Sequence, residues 1–269
     1  MEKNSFKFYG SLAASYEQYL GPVLFEPSAI ELVSRIKSPG TISAVLEIAC
    51  GTGRVSRHLR ERFKPHVKLI ATDLSADMLG IAKSTLNDPS IEFRVEDAQN
   101  LSFADNSFDL VIFQYGIMFL PDKLKGLSEA LRVLKPGGRL IATTWDKTET
   151  MPLLKLLFND IILPNFPPEE AKRLLTPFSL HDPEMLAGMM KEAGFKHIAV
   201  DNVRMQSGAA TPEDIASAFF RKHAIGQEVL AADPGKFEAM SQKIQKSVSL
   251  KFGSEVVSKL SAFFITGEK

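Results

Sequence analysis

Between residues 45 and 59 the chain reads VLEIACGTGRVSRHL, an apolar run that meets an acid and passes through two glycines into a helix-like pattern. Glu47, Ala49, Gly51 and Gly53 fall at alternate positions there. The two glycines permit dihedrals that a side chain penalises and let a ligand approach the main chain closely. A helix starting just beyond them offers unpaired amides and the positive end of its dipole. Twenty residues after Gly53, at the end of the next apolar run, stands Asp73. A carboxylate there can accept hydrogen bonds from both hydroxyls of a ribose. Such a loop serves a dinucleotide, a phosphate or a sulfonium cofactor. The dinucleotide fingerprint G-x-G-x-x-G starting at Gly51 requires glycine at position 56, where Ser56 stands. Cys50, between these positions, has no thiolate-stabilising neighbour in sequence and reads as a small packed hydrophobe.

The elements that must position these residues alternate between two periods. SAVLEIA (43–49) is read as a first strand, VKLIATD (67–73) as a second, IEFRV (91–95) as a third, FDLVIFQ (108–114) as a fourth and RLIATTW (139–145) as a fifth. Between them, Val55, Leu59 and Phe63 form a helical stripe, and Ser75 is placed to cap a helix carrying Met78, Leu79, Ala82 and Leu86. Leu124, Leu127, Leu131 and Leu134 make a further stripe that KPGG (135–138) is expected to stop. This alternation is the mark of a parallel sheet with crossover helices. After Asp146 it gives way to proline-broken helix, a helix ended by Gly194, a strand over 196–205, a helical stretch over about 211–250 and a last strand, KLSAFFITGEK (259–269).

Composition narrows the partners. Lys+Arg and Asp+Glu both number 32, so no net field holds a polyanion, and nucleic acid is not expected. One cysteine forms no internal disulfide, and no apolar run approaches the roughly 20 residues of a membrane span. A cytoplasmic protein without membrane or metal partners is expected; the oligomeric state is left open.

The pattern E-x-A-x-G-x-G at 47–53 resembles motif I of the class I S-adenosylmethionine-dependent methyltransferases, with Ala49 where their first glycine usually stands. Asp97 and Ala98 after the third strand, and LRVLKPGGRLIATTW (131–145), resemble later motifs of that family in the same order. The resemblance covers about residues 41–146 and points to the small-molecule, quinone-biosynthesis-like branch. It implies a Rossmann-like, doubly wound, mostly parallel seven-stranded sheet with an antiparallel last strand and helical lid insertions. The expected layout is one domain over 1–269, with a helical arm at 1–40, a cofactor-binding core at 41–146 and insertions at 147–181 and 208–255. It implies S-adenosylmethionine as cofactor, S-adenosylhomocysteine as product and a methyl transfer by in-line displacement. Asp73 is then assigned to the ribose, Asp97 and Ala98 to the adenine, and Leu74 and Met78 to the adenine face. The backbone of Ala49, Gly51 and Gly53 is assigned to the methionine part, Glu47 to its ammonium, Gln114 to the sulfonium side and Tyr16 to a covering arm.

The acceptor is less determined. Phe6, Phe8, Tyr9, Tyr16 and Tyr19 in the arm, Tyr115, Met118, Phe119 and Trp145 at strand ends, and Leu153, Leu157, Phe158, Phe219 and Phe220 in the insertions suit an aromatic or lipophilic molecule. The same residues would equally serve as core. Enzymes that methylate the exocyclic amines of bases carry Asn/Asp-Pro-Pro-aromatic after strand four, where this chain has FQYGIMF (113–119). His181 and His223 border the expected substrate region and are the general-base candidates, whereas His58 and His66 are expected to be solvated. A cofactor-binding protein of the same fold without transferase activity is the alternative. A short-chain dehydrogenase would need Tyr-x-x-x-Lys, and none of the four tyrosines has lysine four residues on.

Overall fold

The computed structural model describes residues 11–269, so Phe6, Phe8 and Tyr9 of the expected arm lie outside the described residues. The arm continues as α1 (Ser11–Ser15), a π-helical stretch (Tyr16–Phe25) and α2 (Glu26–Ser34). Pro22 sits inside the widened stretch. It has no N–H to donate and its ring disturbs a regular α-helix, which a wider turn accommodates.

Next comes β1 (Ala44–Ile48), all five residues buried, followed by α3 (Arg54–Arg62), whose Val55 and Leu59 pack into the core. β2 (Lys68–Asp73) leads into α4 (Ala76–Leu86), where Ser75 Oγ accepts from Met78 N as the expected cap. β3 (Ile91–Val95) is an edge strand with only Ile91 buried. β4 (Phe108–Gln114) is mostly buried and central, as a strand covered on both faces should be. α5 (Lys123–Val133) is capped by Asp122 and returns the chain to β5 (Leu134–Trp145).

One boundary departs from the sequence reading. KPGG does not stop the helix short of a strand: β5 already begins at Leu134, which pairs with Phe108. The ladder then jumps to Leu110 opposite Arg139, so three extra residues bulge out on β5. Gly137 takes φ +75 in that bulge. Glycine here bends a strand rather than ending a helix.

The second half begins with short helices: α6 (Pro152–Leu154), a π-helical stretch (Lys155–Ile162) and α7 (Pro168–Leu174). α8 (Pro183–Glu192), capped by Asp182, precedes β6 (Lys196–Gln206). The helical stretch expected over 211–250 is divided into α9 (Pro212–Ala216), a π-helical turn (Ser217–Arg221), α10 (Ala224–Ala232) and α11 (Pro234–Phe252). An isolated bridge between Ala210 and Val256 closes the base of this insertion. β7 (Lys259–Glu268) completes a seven-stranded sheet of order β3-β2-β1-β4-β5-β7-β6.

All neighbouring pairs from β3 to β5 are parallel, while β7 runs antiparallel between β5 and β6. This is the Rossmann-like, doubly wound sheet that the motif order implies. Strand order reverses between β1 and β4, and ligands of open α/β sheets bind beyond the carboxyl ends of strands at such a point. The glycine loop sits there. Among the described residues, no helix is long and apolar enough to cross a membrane.

Candidate functional site

A cavity of about 780 Å³ opens at this switch point, within the range of small-molecule sites. Eleven of the cofactor and general-base candidates line it: Tyr16, Glu47, Ala49, Gly51, Asp73, Leu74, Met78, Asp97, Ala98, Gln114 and His223. Gly53 does not. Its φ of +83 starts α3, and a Cβ there would stand 2.8 Å from Leu86 Cδ1 and 3.1 Å from Ala82 Cβ. Gly53 lets α3 and α4 pack closely and is not among the residues that line the cavity. His181 also stays outside: it is exposed, its Nδ1 2.6 Å from the Phe178 carbonyl oxygen.

At the β1 end, Glu47 is 1% exposed and accepts from Ser56 Oγ at 2.5 Å. Burial pushes its carboxyl up to about 8, against the Ser56 hydrogen bond, with the neighbouring Asp73 charge adding to the rise. Asp73 Oδ2 accepts from Gly51 N and Oδ1 from Ser75 N, each at 2.8 Å. The acid therefore holds the loop and the α4 entrance together. Two bonds leave a carboxylate with further lone-pair sites for two hydroxyls. Burial raises its pKa, partly offset by those backbone donors. Asp97 Oδ1 accepts from Gln99 N at 2.9 Å, and Oδ2 has no partner among the described residues. Leu74 lines the same end while 72% exposed, next to the buried Met78.

The loop holds strained backbone. Ala49 takes φ +53, a left-handed conformation costing about 1–2 kcal/mol for a residue with a Cβ. Tyr115, just after β4, takes φ +50. Its ring stacks on Trp145 at 4.0 Å and its hydroxyl donates to Ser28 Oγ at 2.8 Å, which holds that strain in place. Gln114 Nε2 is buried without a partner among the described residues, beside the cavity it lines.

The arm forms a further wall. Tyr16 stacks on Phe25 at 4.9 Å, and burial raises its hydroxyl far above the usual phenol range. Thr52 Oγ1 donates to Glu17 at 2.5 Å, and Arg54 donates to Glu17 at 2.7 Å and to Glu26 at 2.8 Å. Glu26 also meets Arg57 and His58, both at 2.8 Å. His58 is thus an arm contact, not the solvated residue its sequence position predicts. His66 is exposed as expected. Sequence reading missed the Arg54–Glu17–Glu26 network altogether, because no spacing pairs residues so far apart.

The remaining wall is aromatic. Phe25, Tyr115, Trp145, Phe158, Phe178 and Phe219 line it, and Phe158 lies 5.4 Å from Phe178 and 6.5 Å from Phe219. Leu153, Leu157 and Phe220, read as possible pocket residues, are fully buried in the core instead, and Tyr19 packs against it. Phe178, Leu20 and Leu24 take their places in the lining. No cluster of three or more His, Cys, Asp or Glu able to hold a metal occurs among the described residues. Cys50 is buried and free, and burial raises its thiol pKa.

The charges decide which ligand fits. Asp73, Asp77, Glu96 and Asp97 line the cavity together with the buried Glu47 carboxyl, and Arg54, the one Lys or Arg among the described lining residues, is already paired to Glu17 and Glu26. A dinucleotide pyrophosphate would meet this acidic wall with no free cation to receive it. A cationic ligand carrying a ribose suits it. Fold and site together define a doubly wound protein with an acidic pocket at its switch point.

A family of methyltransferase domains matches residues 45–138. The chain is 33% identical over 157 residues to the demethylmenaquinone methyltransferase of Lactococcus lactis, covering 56% of this chain and 62% of that protein. It is 33% identical over 183 residues to a ubiquinone/menaquinone biosynthesis C-methyltransferase of Pseudomonas savastanoi, covering 61% and 69%. Among solved structures, Haemonchus contortus phosphoethanolamine N-methyltransferase 2 with S-adenosyl-L-methionine aligns at a TM-score of 0.61. It is 20% identical, over 98% of this chain and 58% of that one. The YcgJ protein of Bacillus subtilis aligns at 0.57 with 20% identity, over 90% and 97%. These two structures speak for the fold alone. The chain belongs to the class I S-adenosylmethionine-dependent methyltransferase family, in the branch of the ubiquinone/menaquinone C-methyltransferases.

Proposed function

We propose that the protein binds S-adenosylmethionine in this cavity, transfers its methyl group to a small aromatic or lipophilic acceptor, and releases S-adenosylhomocysteine. The observation that carries the reading is the acidic glycine-loop end with its one guanidinium already neutralised. When bound, the cofactor supplies a methyl carbon already activated by the positive sulfur.

The chain's own residues then hold and shield. Asp73 accepts from the ribose hydroxyls, Asp97 Oδ2 from the adenine amino group, and Leu74 and Met78 cover the adenine face. Glu47, on ionising, meets the ammonium, and Gln114 Nε2 finds a partner on the sulfonium side. Transfer in line requires orientation and exclusion of water more than proton chemistry. The aromatic wall built by the arm, the strand ends and the insertions supplies both. The names of the similar proteins, which concern quinone biosynthesis, support an aromatic acceptor; the aligned region spans about two thirds of their length.

Incubation with S-adenosylmethionine and a panel of phenols, catechols and hydroquinones, read by mass spectrometry, tests this. At least one acceptor should gain a methyl group, with matching S-adenosylhomocysteine. Cofactor binding with no methylated product across that panel would favour a binding protein without transferase activity.

A further inference from the structure

His223 sits where the lid insertion meets the cavity, at the N-terminus of α10. The Ile225 backbone N–H donates to His223 Nδ1 at 3.4 Å, so the ring caps the helix through that nitrogen. An acceptor nitrogen is unprotonated, and in a neutral imidazole the proton then resides on Nε2. Burial, with the Arg173 charge as a lesser cause, pushes the ring's pKa down to about 4 and keeps it neutral. Nε2 makes no hydrogen bond among the described residues.

Two hydroxyl-bearing residues of the cavity lining are already engaged. Tyr115 donates to Ser28 at 2.8 Å, and Thr176 donates to the Arg173 carbonyl at 2.8 Å. Phe158, Phe178 and Phe219 line the same cavity as His223. An Nε2–H donor on the wall of a cavity lined by aromatic rings recognises an accepting oxygen on a flat, uncharged body. A general base would need the opposite tautomer and would give up the cap.

We infer that His223 is a specificity-determining hydrogen-bond donor, its Nε2–H received by a carbonyl or phenolic oxygen of the methyl acceptor. This rests on the methyl-transfer reading of the cavity. The chemical class it selects is an oxygen-bearing aromatic rather than an aromatic hydrocarbon or an amine cation.

A matched pair of probes tests it: 1-tetralone, which carries an accepting carbonyl, and tetralin, which lacks it. Binding of each is measured by equilibrium dialysis with saturating S-adenosylhomocysteine, for wild type, His223→Asn and His223→Gln. Asparagine retains a side-chain acceptor for the cap but not the Nε2 donor. Glutamine extends an amide N–H towards the Nε2 position. Wild type should prefer the ketone by about tenfold, the worth of one hydrogen bond in a dry site. H223N should lose that preference, H223Q should recover part of it, and S-adenosylhomocysteine affinity should be equal in all three. A preference unchanged in H223N, or wild type binding neither probe or both equally, overturns the inference. Nitrogen-15 spectra of the wild-type ring provide a second check that needs no variant: Nε2–H is expected, and an Nδ1–H tautomer overturns the inference. Failure of wild type to bind S-adenosylhomocysteine would instead count against the cofactor reading itself.

Discussion

Arg54, on the first turn of α3, donates to the Glu17 carboxylate of the arm at 2.7 Å across 37 residues of sequence. The same guanidinium donates to the Glu17 backbone carbonyl and to Glu26, so one side chain latches the N-terminal arm to the glycine loop. Gly21 lies against this latch; a Cβ there would stand 2.2 Å from the guanidinium.

Removing the cation strips the partly buried Glu17 of its guanidinium and leaves Glu26 with Arg57 and His58. Arg54→Met should lower unfolding free energy by about 3 kcal/mol, whereas Glu17→Gln, which leaves the Arg54–Glu26 pair, should lose about 1 kcal/mol. Urea denaturation of both measures the difference. Equal losses would show that the network does not act as a latch.

On the proposed reading, Glu47 should make cofactor binding depend on pH. Its folded carboxyl titrates at about 8, above the ordinary value, so the buried site favours the protonated form. That contribution to stability is present below the ordinary carboxylate pKa and is lost as pH rises through about 8. A ligand ammonium favours the ionised form, so binding near pH 7 should release a proton and tighten up to about pH 8. Calorimetry in two buffers of different ionisation enthalpy should detect that proton, and Glu47→Gln should abolish its release. A pH-independent affinity in wild type would speak against the Glu47 assignment.

The two loop glycines should respond differently to alanine. At Gly51, φ is +56 with open space around the added methyl, so the cost is the left-handed backbone, about 1–2 kcal/mol. At Gly53 the methyl also strikes Leu86 and Ala82, and about 1–3 kcal/mol more is expected. Conversely, Gly51→Ala should weaken S-adenosylmethionine binding more than Gly53→Ala does at equal fraction folded. Thermal melts paired with binding isotherms check both.

That contrast shows how far the sequence carried. Strand, glycine loop and acid occupy one local stretch, so Gly51 and Asp73 could be placed at a ligand crevice from order and spacing, and Glu47 through the motif resemblance. Gly53 could not, because a glycine required by helix–helix packing looks the same in sequence as one required by a ligand. Gly137 posed the same ambiguity, between a helix stop and a bulge. Residues brought together by tertiary folding left no pattern: Glu17 finds Arg54, and His223 finds a capping role that histidine seldom advertises. For Leu157 and Phe158, adjacent in a π-helical stretch, only the packed structure separates core from cavity wall.

Asp109 fixes the start of β1 against β4 and β5. Burial would raise its pKa, yet hydrogen bonds from Lys135, Ser43 and the Ala44 backbone outweigh it and hold the carboxyl at about 2. A depressed carboxylate stabilises the fold above its unfolded pKa, and that part is lost as pH falls towards 2. With solvent screening at this partly exposed site it amounts to roughly 1 kcal/mol. Asp109→Asn should flatten the wild-type loss of stability between about pH 5 and 2, measured by urea midpoints across that range; an unchanged profile would contradict the assignment.

Calorimetric titration of S-adenosylmethionine, S-adenosylhomocysteine and NAD into wild type and Asp73→Ala tests the central claim most directly. Both adenosyl ligands should bind wild type, NAD should not, and the alanine variant should lose about 1–3 kcal/mol of affinity with its hydrogen-bonded charge. Binding of NAD with no response to either adenosyl ligand would contradict the reading of the acidic pocket, and the methyl-transfer proposal with it.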